Sequence, residues 1–114
     1  MSGVVHGDWD SFEWTAFPEY NGSKMIAYRS PDGLIAAGAA HESGTATLTY
    51  PCDEFFYVIE GSITCDVVGG EKFTLTKGQV CYFTRGTTVN FEFSDDFKNV
   101  AIFISTDGKK VTLV

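Results

Sequence analysis

Apolar and polar positions alternate with a period of two through most of this chain, in short segments separated by turn residues. That period puts every second side chain on one face of an extended strand. Residues 45–50, Thr45-Ala46-Thr47-Leu48-Thr49-Tyr50, are rich in β-branched types, which suit a pleated surface. Residues 55–59 form a continuous apolar run, which predicts a strand buried on both faces. Residues 62–68 alternate, with Ile63, Cys65 and Val67 on one side. Val68-Gly69-Gly70-Glu71 predicts a hairpin turn, because glycine adopts positive φ without steric cost. Residues 72–75 are its return strand. Residues 79–83, 88–93 and 100–105 predict three further strands, and 111–114 a last edge strand. Ser30-Pro31-Asp32-Gly33 is a strong turn signal joining 25–29 to 34–40 as a hairpin.

Such spacing belongs to an all-β sandwich or barrel of antiparallel strands with little helix. Residues 10–20 fit less well: Phe12, Trp14 and Phe17 keep neither period, and the segment reads as a short helical turn near Ser11 or as an irregular arm. Residues 1–24 are therefore expected to form an N-terminal arm, and residues 25–114 a β-barrel. A chain of 114 residues suits one domain. The rings of Trp9, Phe12, Trp14 and Phe17 need a surface to bury against, which predicts a homodimer.

A formal charge of −7 with no cluster of Lys and Arg excludes nucleic acid and anionic membranes as partners. No apolar run approaches the roughly 20 residues that span a bilayer. The first ten residues have neither the basic nor the apolar region of a signal peptide. The odd count of three cysteines, Cys52, Cys65 and Cys81, points to free thiols and a cytoplasmic setting.

Two blocks carry the chemistry. The first is Tyr50-Pro51-Cys52-Asp53-Glu54-Phe55-Phe56-Tyr57-Val58-Ile59-Glu60-Gly61; the second is Gly78-Gln79-Val80-Cys81-Tyr82-Phe83-Thr84-Arg85-Gly86. Together they resemble the two motifs of the cupin superfamily. The first block is closest to the branch of ethanolamine-utilisation and ureidoglycine aminohydrolase-like cupins, many of unknown function. The resemblance covers about residues 25–105 and implies a single-domain jelly-roll barrel. Glu54, Gly61, Gly78 and Gly86 match the motifs. The histidines that hold a metal in many cupins do not. Their positions fall on Leu48 and Tyr50, or on Thr47 and Thr49, and on Val89. A catalytic transition metal usually takes about three protein ligands. Only Glu54 stands at a family position, with His41 as a distant second, so no metal or other cofactor is expected.

Strand parity puts Glu54, Phe56 and Val58 on one face, and the resemblance turns that face into the barrel. Glu54 would there meet Tyr50 and the stripe Val89, Phe91, Phe93, with Tyr82 and Phe56 completing a ligand-lined interior. A carboxylate among aromatic rings is desolvated and its pKa rises, which suits a general acid or base. The same Glu54 could instead accept hydrogen bonds from Tyr50, Tyr82 or backbone amides and organise the barrel. His41-Glu42, just before the Ser43-Gly44 turn, is expected at the surface.

Three functions remain open. One is a small-molecule site beside Glu54 without a tightly held metal. The second is a metal-assisted enzyme of small nitrogen- or carbon-compound metabolism. The third is a structural or regulatory dimer with a filled interior.

Overall fold

A computed structural model describes residues 3–114. Ten strands run in chain order: β1 (Thr15–Phe17), β2 (Gly22–Arg29), β3 (Ile35–His41), β4 (Gly44–Thr49), β5 (Asp53–Glu60), β6 (Ser62–Val67), β7 (Lys72–Thr76), β8 (Val80–Phe83), β9 (Thr88–Phe93) and β10 (Lys98–Ile104). All the strand pairings are antiparallel. Helix is confined, among the described residues, to two 3₁₀ turns, Trp9–Ser11 and Pro18–Tyr20.

The strands form a six-stranded sheet, β1-β2-β3-β10-β5-β8, and a four-stranded sheet, β4-β9-β6-β7. The sheets face each other as a jelly roll without closing into one continuous barrel. Phe56, Val58 and Phe83 from the first sheet interlock with Ile63, Cys65, Val89, Phe91 and Phe93 from the second. Burial follows the alternation along β5: Glu54, Phe56 and Val58 are buried, whereas Phe55 and Tyr57 are each 39% exposed. The expectation that this run is covered on both faces is therefore corrected for the single chain.

The N-terminal segment also differs from an irregular arm. β1 pairs with β2, and β2 begins at Gly22, inside the segment expected to precede the barrel. Phe17 and Tyr20 enter the main core. Three-residue strands are too short for a period to declare them.

The predicted edge strand at residues 111–114 is absent. Instead the Arg29 guanidinium donates to the carbonyls of Val111 and Val114, at 2.9 and 2.7 Å. The carbonyls that a ladder would use are taken by a side chain, and the tail lies as an irregular strap.

Candidate functional site

Glu54 enters the space between the sheets because β5 pairs in register with both neighbours there, opposite Phe103 on β10 and Phe83 on β8. Tyr50 reaches the same space from the β4–β5 turn. Its amide donates to the Thr87 carbonyl at 2.9 Å, and its carbonyl accepts from the Gly86 amide at 2.8 Å. The two sequence motifs are thus tied backbone to backbone. The Tyr50 ring stacks on Phe83 with centroids 4.9 Å apart. So held, its hydroxyl donates to Glu54 Oε1 at 2.6 Å.

A cavity of about 50 Å³ lies beside this pair. Phe17, Phe56, Phe91 and Phe93 supply apolar walls, and Tyr20, Glu42, Tyr50, Glu54 and Asn99 the polar ones. Leu113 and Val114 of the strap also line it. Leu113 faces a wider open groove as well, bordered by Glu19, Lys24, Pro51 and Thr112. The strap thus lies between the cavity and the groove.

Asn99 has no counterpart among the residues singled out from the sequence, and Glu42, expected at the surface, is a correction. Glu42 sits at the corner between β3 and β4 and is buried rather than exposed. Its amide donates to Phe97 O at 3.2 Å, and the next amide, of Ser43, donates to Tyr20 O at 3.0 Å. These bonds turn the Glu42 side chain inward at a corner, where strand parity has no authority. Asn99 is 5% exposed, and its Oδ1 has no hydrogen-bond partner. It follows the register shift between Lys98 and Asn99 on β10.

Burial dominates the electrostatics. It pushes the Glu54 pKa up to about 7, against the opposing pull of the Tyr50 hydrogen bond. It pushes Glu42 up to about 8, with the negative charge of Glu54 adding to the rise. Tyr20 rises to about 12 through burial and then the carboxylates of Glu42, Glu54 and Glu19. Tyr50 is raised by burial and by Glu54. At neutral pH the two carboxyls therefore hold at least one proton between them for much of the time, and Glu54 can accept or release one.

The predicted site residues separate. Tyr50, Glu54, Phe56, Phe91 and Phe93 converge on the cavity. Val89 is fully buried opposite Leu48, yet it is not part of the cavity wall. Tyr82 is a correction. It is 51% exposed on the outer face, across from Phe55, and its hydroxyl donates to Asp53 Oδ2 at 2.7 Å. The alternation of 79–83 was legible, but which half faces inward depends on pairing with β5.

Residues 30–101, more than half of the chain, match the family model for the EutQ-like cupin domain. The chain belongs to the EutQ-like cupin family. This cupin is similar in structure to the ethanolamine utilization protein Q of Salmonella typhimurium LT2. The TM-score is 0.73 at 19% identity, over 88% of this chain and 85% of that one. It resembles the EutQ protein of Clostridium difficile with a TM-score of 0.64 at 20% identity, covering 85% and 72% of the two chains. It resembles the Schizosaccharomyces pombe Cnp3 cupin domain with a TM-score of 0.71 at 15% identity, covering 90% and 75%. Identities this low speak for the fold. No curated protein sequence matches the chain.

The donors present do not fit the transition metal that many cupins carry. At the positions that the resemblance gives to the family's ligands, Leu48 and Tyr50 or Thr47 and Thr49, with Glu54 and Val89, only Glu54 is an ordinary ligand, and its Oε1 already accepts from Tyr50. His41 is not part of the cavity wall, and the described residues contain no group of three or more His, Cys, Asp or Glu arranged to hold an ion. No helix among them is long and apolar enough to cross a membrane.

Proposed function

We propose that this cupin binds a small organic molecule in the cavity between its sheets, with Glu54 as the residue that exchanges a proton with it and no tightly held transition metal. The observation that carries the reading is the pair of buried carboxyls, Glu42 and Glu54, on the cavity wall with a single protein donor, the Tyr50 hydroxyl, between them. A buried acceptor left unpaired costs about 1–3 kcal/mol, and a bound donor would remove that cost. The second Glu54 oxygen has no protein donor among the described residues and is available to the same molecule. Three free thiols support a reducing compartment, the cytoplasm, as the setting.

A specific observation favours a second reading, that of a filled structural barrel. A cavity of about 50 Å³ is far smaller than the roughly 150 Å³ that admits benzene. Withdrawal of Leu113 and Val114 would join it to the outer groove and enlarge it.

Fragment screening by NMR, with neutral, anionic and cationic compounds against wild type and Glu54→Gln, separates the two readings. A ligand-binding role predicts fragments that shift the amides of Glu54 and Asn99 and lose affinity at least tenfold in Glu54→Gln. A purely structural role predicts no such fragment and a lower melting temperature in the variant at pH 5, where Glu54 is protonated.

A further inference from the structure

We propose that the cavity beside Glu54 takes a small primary ammonium of about two to four non-hydrogen atoms, a size set by its volume. This inference rests on the reading of the cavity as a small-molecule site and names the class of molecule.

Two carboxyls on the cavity wall lack a cationic partner among the described residues, Glu42 from the β3–β4 corner and Glu54 from β5, and only one of their oxygens, Glu54 Oε1, accepts from a protein donor. The Tyr20 hydroxyl and the Asn99 side-chain amide stand beside them. Carboxylates can accept but not donate when ionised, and an ammonium offers three donors and no acceptor. The aromatic rings of Phe17, Tyr20, Phe91 and Phe93 line the remainder, and aromatic faces attract a cation. A calcium ion takes six to eight oxygen ligands and a magnesium ion keeps several waters besides its carboxylates, more than a cavity of about 50 Å³ has room for.

The chain's own cation is nearby but engaged elsewhere. Lys24 borders the cavity, yet its Nζ lies 4.5 Å from the centre of the Phe17 ring and makes no ion pair with Glu42 or Glu54. The mouth thus already accommodates an ammonium against an aromatic face, and the two carboxyls behind it have no cationic partner among the described residues.

Protonation is the alternative way to remove the buried charge, so an ammonium must compete with protons. The groups that bear on this are Glu42, Glu54, Tyr20, Tyr50 and Lys24 around the cavity, Glu19 at its mouth, and the thiols of Cys52, Cys65 and Cys81, which sense Glu54 from farther off. Burial holds the tyrosines and thiols neutral near pH 7. The two glutamates therefore carry the proton exchange, and binding should release protons.

The test uses methylammonium and ethylammonium chloride, with potassium chloride at equal ionic strength and methanol and ethanol as neutral counterparts. The expected result is that the ammonium salts shift the amides of Glu42, Glu54 and Asn99. Affinity should fall at least tenfold from pH 8 to pH 6, as the competent ionised form is depleted. Calorimetry in buffers of different ionisation enthalpy should register proton release. Glu42→Gln and Glu54→Gln should each weaken binding at least tenfold while keeping a cooperative melt at pH 8. Equal shifts from potassium or methanol, shifts mapping outside the cavity, or affinity unaffected by both variants would overturn the assignment. If neutral or anionic fragments occupy the cavity and ammonium does not, the cation inference falls and the small-molecule reading stands. If no fragment of any charge binds, both fall.

Discussion

At the scale of single residues, the two buried carboxyls make the protein's stability depend on pH in a direction opposite to that of ordinary surface acids. Each carboxyl has an ordinary value of 4.5, raised in the folded state to about 7 for Glu54 and about 8 for Glu42. Between those values the folded chain holds protons that the unfolded chain has lost. Their contribution is fully present below about pH 4.5 and disappears as pH rises through 7 and 8, so stability falls with rising pH. The upper bound is about 1.4 kcal/mol per pH unit for each group. Thermal melts should show a falling melting temperature from pH 5 to pH 8. Glu42→Gln and Glu54→Gln should match wild type closely at pH 5 and exceed it at pH 8. Wild-type and variant curves running parallel across this range would show that neither carboxyl titrates there. The sequence pointed to Glu54 and Tyr50 because a motif and a strand parity converge on them. It placed Glu42 at the surface, since a corner residue obeys no periodicity.

At the scale of elements, the turns decide how closely the strands approach. Gly61, which matches the first motif, has φ +76° between β5 and β6. A Cβ there would lie 2.8 Å from the Phe97 Cα and 2.5 Å from Ser94 Oγ. Glycine is required twice over, for the backbone conformation and for the packing of the β9–β10 turn against it. Gly61→Ala should cost about 2 kcal/mol or more. That corresponds to roughly a 10 °C drop in melting temperature for a domain of this size, with the strand content by circular dichroism retained. A change within about 2 °C would mean that the turn relaxes. Gly38 makes a related demand on β3, where a side chain would run into the Met25 carbonyl on β2. β1 and the strap at residues 111–114 were the elements misread. The first is too short for a pattern, and the second has the composition of a strand while its carbonyls are held by Arg29.

At the scale of the whole molecule, the outer face of the six-stranded sheet remains apolar. Ile102, Phe55 and Tyr82 form one row across β10, β5 and β8, and Val100, Tyr57 and Val80 the next. Phe55 and Tyr57 are 39% exposed, Tyr82 51% and Val80 52%. Covering these part-exposed rings removes roughly 60–130 Å² each, so this face suits the centre, not the whole, of an interface of about 800 Å² per partner. We propose a second copy as the occupant, because these rows carry no charge on a chain of net charge −7 and two-fold pairing would let one face cover itself. The arm expected to do this is partly occupied with itself: Trp9 and Trp14 lie 5.0 Å apart, and Trp14 Nε1 donates to the Trp9 carbonyl at 3.1 Å. Light scattering at micromolar concentration should give a dimer, and Phe55→Lys with Tyr57→Glu should give a folded monomer. A monomeric wild type would refute association through either surface.

What the sequence by itself determined is what depends on neighbours along the chain. The antiparallel strands and most turns follow from a period of two and from turn residues, while the inward direction of Glu54 and the kinship with cupins come from the resemblance of two motifs. What only the tertiary structure decided depends on pairing across the chain. Tyr82 points outward because it lies opposite Phe55 on β5. Asn99 points inward after a shift of register on β10. Glu42 joins Glu54 because a β3–β4 corner is tied to Tyr20 and Phe97. A one-residue slip moves every side chain of a strand to the other face, and local pattern carries no information about that slip. The acceptor-rich cavity is therefore a product of register, assembled from a corner and two strands that are distant in sequence.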